Sequence, residues 1–196
     1  MSLWKILTAR YGSATSETDE VRIDGSTNSL QVIDYAHHEI HGGSGYDYTE
    51  VVDQVQNAVR DIQITTPAGA KWAHMVIDFF CEAETEFWLW ENVSIVTPGT
   101  GITPRNHNRN SSDSSTLVVK YIDNSSLANA NSDTDASGAT QLEHQFVGAG
   151  KKVGGSTSSR EEWILKANED YTVRWDATNA GYVTYHIDWY EHTDKH

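Results

Sequence analysis

The stretch Tyr182-Val183-Thr184-Tyr185-His186-Ile187-Asp188-Trp189-Tyr190-Glu191-His192 decides the class of this chain. Val183, Tyr185, Ile187 and Trp189 fall at every second position, with Tyr182, Thr184, His186, Asp188, Tyr190 and His192 between them. A strand turns successive side chains to opposite faces, so this period builds one apolar face and one polar-aromatic face. On a helix the same apolar residues would be scattered round the axis and could not be buried together. The segment Trp72 to Phe80 repeats the pattern: Ala73, Met75, Ile77 and Phe79 are expected to face a core, leaving Trp72, His74, Val76, Asp78 and Phe80 on a mixed face.

Similar segments recur outward from these two. They are Leu30 to Tyr35, Tyr46 to Val52, Val59 to Thr65, Thr85 to Val93, Thr116 to Ile122, Gln141 to Val147, Glu161 to Lys166 and Tyr171 to Asp176. Thr and Val together number 34 against 8 Leu, and no stretch sustains apolar residues at helical spacing. The chain therefore reads as all-β, with the number of short strands that a sandwich or barrel requires. Residues 1–28 stand apart as an N-terminal arm, in which Trp4, Ile6 and Leu7 form a small apolar patch ahead of a polar run. Residues 29–196 make the single β domain.

Composition narrows the function. The 28 Asp and Glu against 14 Lys and Arg give a net charge of -14, which opposes phosphate-backbone binding, so no nucleic-acid partner is expected. Cys81 is the sole cysteine and lies in an apolar run, where a buried thiol is expected in place of a nucleophile or a zinc ligand. No long apolar stretch marks a secretory signal or a membrane span, so the expectation is a soluble chain made in a cytoplasm, without a membrane partner. Without a secretion route, the glycosylation-type triplets at Asn92, Asn110 and Asn124 read as chance matches.

The one local cluster that invites metal chemistry is His37-His38-Glu39-Ile40-His41, running into Gly42-Gly43-Ser44-Gly45. Its spacing departs from the zinc-protease helix, where Glu follows directly on the first of two His four apart. Read as a strand, it sets His37, Glu39 and His41 on one face, the minority metal candidates, against a polar strand end entering a glycine turn. The order does not reproduce the ligand pattern of a cupin-type metal barrel either, and no cofactor is expected. Glu82, Glu84 and Glu86 read as a solvated turn, and no nucleophile-base-acid set or phosphate-cradling loop is present, so the chain is expected not to be an enzyme. Arg105 and Arg109, in an Asn-rich loop, are expected to pair with Asp or Glu of the same or a neighbouring subunit. Trp88 and Trp90, opposite Phe87 and Leu89, suit a packed second layer, a contact between subunits or a sugar-stacking platform.

Taken in order, Tyr35 to Tyr46, Ile64-Thr65-Thr66-Pro67, Lys71 to Met75, Thr103-Pro104-Arg105-Asn106-His107-Asn108-Arg109-Asn110 and Asp188 to Thr193 resemble a group of virion structural proteins of tailed bacteriophages and their metagenomic relatives. The resemblance covers about residues 30 to 195. It implies a jelly-roll β-sandwich on the particle, a capsid decoration or auxiliary head protein on the outer capsid surface, with a fibre or tail component as the other placement. It supplies no catalytic residue. The combined expectation is a homotrimer contacting itself and the major capsid protein. The expected contact residues are Trp4, Ile6, Leu7, His37, His38, His41, Arg105, Arg109, His186, Tyr190 and His192. The competing classes are a head-fibre or tail module that binds host glycan and a metal-dependent β-barrel enzyme.

Overall fold

The computed structural model describes residues 8–9, 19–20, 35–69, 71–124, 134–148, 151–154 and 162–193. Two compact units divide the chain, 1–38 and 39–196. In the first, Thr8–Ala9 pairs antiparallel with Asp19–Glu20. Trp4, Ile6 and Leu7 lie outside the described residues, as does the strand expected over Leu30 to Tyr35 apart from Tyr35 itself.

In the second unit, nine strands of four or more residues run through the described residues. They are β1 (Gly45–Gln54), β2 (Ala58–Thr65), β3 (Trp72–Cys81), β4 (Thr85–Glu91), β5 (Val118–Asn124), β6 (Thr140–Val147), β7 (Lys151–Gly154), β8 (Asp170–Ala177) and β9 (Gly181–His192). One sheet has the order β6-β4-β8-β2-β5, edged by Thr100–Gly101. The other has the order β7-β3-β9-β1, edged by Arg105–Asn106, and Trp163–Ile164 also pairs with β3. Strand β9 sits between β3 and β1, while β8 sits between β4 and β2. This is jelly-roll winding, two interleaved Greek keys, with β5 added at one edge.

The alternation read from the sequence selects the inward faces. Ala73, Met75 and Phe79 of β3 and Val183, Tyr185, Ile187 and Trp189 of β9 are buried, and Ile77 packs against the same core. Opposite them, β4 and β8 contribute Phe87, Leu89, Tyr171, Val173 and Trp175. The two layers interlock through aromatic rings: Phe79 meets Phe87 at 5.3 Å and Trp175 at 5.6 Å between centroids, and Trp175 meets Tyr185 at 4.8 Å. Cys81 is fully buried, and burial pushes its thiol pKa up, as expected of an inert core cysteine.

A charged cluster crosses the core between the sheets. Arg60 of β2, side chain 3% exposed, donates to Glu50 of β1 at 2.7 Å and to both oxygens of Asp123 of β5 at 2.9 and 3.1 Å. Tyr185 donates to the same Glu50 oxygen at 2.5 Å, and the guanidinium lies 4.4 Å from the centre of the Tyr121 ring. The clamp joins the two sheets directly.

One expectation is corrected here. Residues Tyr35–His41 form a helix, α1, in place of a strand. Residues two apart on a helix point to opposite sides, so Glu39 faces away from His37 and His41, which are four apart and share a side, and the three do not present the common face that the strand reading gave them. The glycines that follow cap the helix: Gly43 N–H donates to the Ile40 carbonyl at 3.0 Å and Ser44 N–H to the Glu39 carbonyl at 2.8 Å. This is a Schellman cap, and it needs Gly43 in the left-handed region, φ 81°. A Cβ there would also lie 2.5 Å from Ser111 Oγ.

Candidate functional site

The outward face of the β7-β3-β9-β1 sheet carries a run of histidines, carboxylates and aromatic side chains. Register aligns it in rows. Phe80, Thr184 and Val51 share one row, followed by Asp78, His186 and Thr49, then Val76, Asp188 and Asp47, then His74 and Tyr190, and last Trp72 and His192. The central column is the alternate set on β9 that the sequence left opposite its apolar face.

At one end of the column, Phe80, Tyr182 and Val51 are 44%, 54% and 61% exposed, so apolar and aromatic surface is open to solvent there. In the middle, Asp188 is approached by His107 Nε2 at 2.9 Å and His186 Nε2 at 3.9 Å, while His186 Nδ1 lies 3.7 Å from Asp78. Partial burial raises the Asp188 pKa above the usual carboxylate range; His107 and His186 pull it back, and Asp47 adds to the rise. Beside it Arg105 pairs with Asp47.

At the far end His74, Tyr190, His192 and Glu162 come together. The Tyr190 hydroxyl donates to Glu162 Oε1 at 2.9 Å, and His74 Nδ1 contacts the same oxygen. The rings of His74 and Tyr190 stack with centroids 4.7 Å apart, and His192 Nε2 lies 2.7 Å from His74 Nε2. Because β3 and β9 are neighbours in register, His74 meets Tyr190 directly, and His192 follows two residues on.

The structure places the expected contact residues unevenly. His186, Tyr190 and His192 share this face, and Arg105 joins it through Asp47. Arg109 instead donates to the Asn106 carbonyl at 3.4 Å. Both arginines thus have partners within the chain. His37 and His38 are exposed positions on α1; His41, also exposed, offers its carbonyl to Asn108 Nδ2 at 3.0 Å. The Asn-rich loop is a structural staple: buried Asn106 donates to the carbonyls of Gly43 and Asp113, and its own oxygen accepts the Asn108 N–H, an Asx turn repeated between Asn108 and Asn110. The rest of that connection is anchored by buried Glu191, which accepts from Ser115 Oγ, Thr116 N–H and Oγ, and Trp189 Nε1.

Sequence reading missed His74, His107 and Glu162. His74 was visible only as a member of a mixed strand face, and the other two lie in or beside irregular segments whose partners are far off in the chain. Elsewhere, Trp88 stacks on His144 at 4.9 Å and 11°, so one face of that indole is already occupied. A hollow of about 420 Å³ lies at the β5 edge between Thr97–Thr100 and Tyr121–Asp123. Among the described residues, no group of three or more His, Cys, Asp or Glu is arranged to hold a metal ion, and no helix is long and apolar enough to cross a membrane.

Comparison with protein-family models, curated proteins and solved structures found no match to this chain.

Proposed function

We propose that this chain is a non-enzymatic structural protein of a tailed-phage particle, a decoration protein that binds the outer capsid surface as a homotrimer through the outward face of β9 and its neighbours. The observation that carries this reading is the face itself. Exposed Phe80, Tyr182 and Val51 lie beside a histidine-carboxylate band and the Arg105–Asp47 pair, a mixture of aromatic anchor and polar surround suited to a protein contact. The jelly-roll core supplies a rigid platform for it, and the charge of -14 suits an exterior position over contact with packaged DNA. Residues 1–28 act as the second attachment element. Binding across neighbouring shell subunits would stabilise the particle by mass action.

The test is co-sedimentation of the full chain with shells assembled from the major capsid protein of the proposed particle. Wild type should pellet with the shells, and a Phe80→Glu/Tyr182→Glu variant should lose most of that binding while keeping its folded spectrum. A wild type that stays in the supernatant, or a variant that binds as well as wild type, would overturn the reading.

A further inference from the structure

The group at the far end of this face has a geometry that assembly does not require. Glu162 is a carboxylate and can only accept hydrogen bonds, so its contact with His74 Nδ1 calls for the proton on that nitrogen, and the Tyr190 hydroxyl, 2.9 Å from Oε1 and 3.0 Å from Nδ1, sits against both. With its proton on Nδ1, the neutral His74 ring presents a lone pair at Nε2. That lone pair faces His192 Nε2 at 2.7 Å, and one shared proton satisfies the contact. A carboxylate fixing the far nitrogen of an imidazole whose near nitrogen meets a second imidazole is the outer-shell arrangement of histidine metal ligands.

We propose that His74 and His192 bind one divalent late transition-metal ion, zinc in the first instance, through their Nε2 atoms, with Glu162 and Tyr190 orienting His74. The ion replaces the shared proton. Metal–nitrogen distances of about 2.0–2.1 Å at a tetrahedral centre set the two nitrogens about 3.3 Å apart, so the pair opens by roughly 0.6 Å from its proton-bridged spacing. His192 can supply that movement, because it is the last residue of β9 and is only partly buried. His74, with its side chain 12% exposed and stacked on Tyr190, is the fixed ligand. His74 and His192 supply two of the four positions of a tetrahedral centre, and water or a further donor completes it. Imidazole donors suit zinc, nickel and copper over calcium or magnesium. The site is separate from the His37, Glu39 and His41 cluster of the helix.

Isothermal titration of the full chain with zinc(II), repeated with cobalt(II) and read by its visible absorption, tests this. One ion per chain is expected. His192→Ala should abolish it, Glu162→Gln should weaken it about 10- to 100-fold as outer-shell losses do, and a His37→Ala/His41→Ala variant should bind like wild type. Because His192→Ala could disturb the strand end, the wild-type chain provides an independent reading: zinc should shift the side-chain nuclear resonances of His74 and His192 and leave those of His144 in place. Absence of stoichiometric binding, binding unchanged in His192→Ala, or binding lost in His37→Ala/His41→Ala would overturn the proposal.

Discussion

Arg60 and His74 each centre a polar network, one inside the sandwich and one on its outer face, and the two are built from different chemistry. The Arg60 network joins permanent charges: a guanidinium held by Glu50 and Asp123, backed by Tyr185 and Tyr121, linking both sheets. The His74 network is built on two imidazoles sharing one contact, with a carboxylate and a phenol behind them. A guanidinium keeps its charge and fork geometry at any ordinary pH, which suits a fixed cross-link. Imidazoles change partner and charge readily, which suits a surface that must meet something else. On the proposed reading, stability belongs to the inner network and partner contact to the outer face.

Substitutions can break that assignment, and the largest effect should come from inside. Arg60→Met should cost about 3 kcal/mol of unfolding free energy in urea denaturation, the low end for breaking a buried pair, because Glu50 and Asp123 remain 32% and 58% exposed and can be rehydrated. A loss below about 1 kcal/mol would show that the clamp is incidental. Glu191→Gln comes next: the buried carboxylate holds Ser115, Thr116 and Trp189 together, and turning one oxygen into a donor should cost about 2 kcal/mol by the same assay.

Alkaline titration sharpens the comparison without mutation. Burial, with help from Glu191 and Asp113, pushes the Tyr46 pKa up to about 12, and burial also raises those of Tyr171 and Tyr185. A phenol whose folded pKa exceeds its unfolded value contributes stability that is fully present below pH 10 and is lost as pH rises through the folded value. Stability should therefore fall steeply between about pH 10 and 12, with phenolate absorbance from the core tyrosines appearing together with unfolding. Early, separate titration of these tyrosines would contradict their burial. The smallest stability effect belongs to the outer face: Phe80→Glu/Tyr182→Glu should stay within about 0.5 kcal/mol of wild type, since both side chains are exposed.

Most of the sandwich was legible because alternation survives in the strands themselves. Of the segments read from the sequence, β1 to β6, β8 and β9 fall within a few residues of expectation, and the inward faces of β3 and β9 match. Even Arg60 was readable, since it shares its parity with Ile62 and Ile64, although a charged residue resists being assigned inward. The helix at Tyr35–His41 was not, because seven residues with four polar members carry no helical stripe; its signal was Gly43, placed where a helix cap needs a left-handed residue. The outer site was half legible. The column on β9 could be listed, but His74 is 118 residues from His192 and 88 from Glu162, and only the pairing of β3 with β9 and with Trp163–Ile164 brings them together. Strand order is a long-range property that alternation does not encode.

The most direct test of the central claim is a cryo-electron microscopy map of the particle with this protein bound. The account predicts threefold clusters on the outer shell in which the Phe80, Tyr182 and His186 face of each copy is covered by a neighbour or by capsid protein. A map in which that face is bare to solvent while the opposite sheet makes the contacts would contradict it.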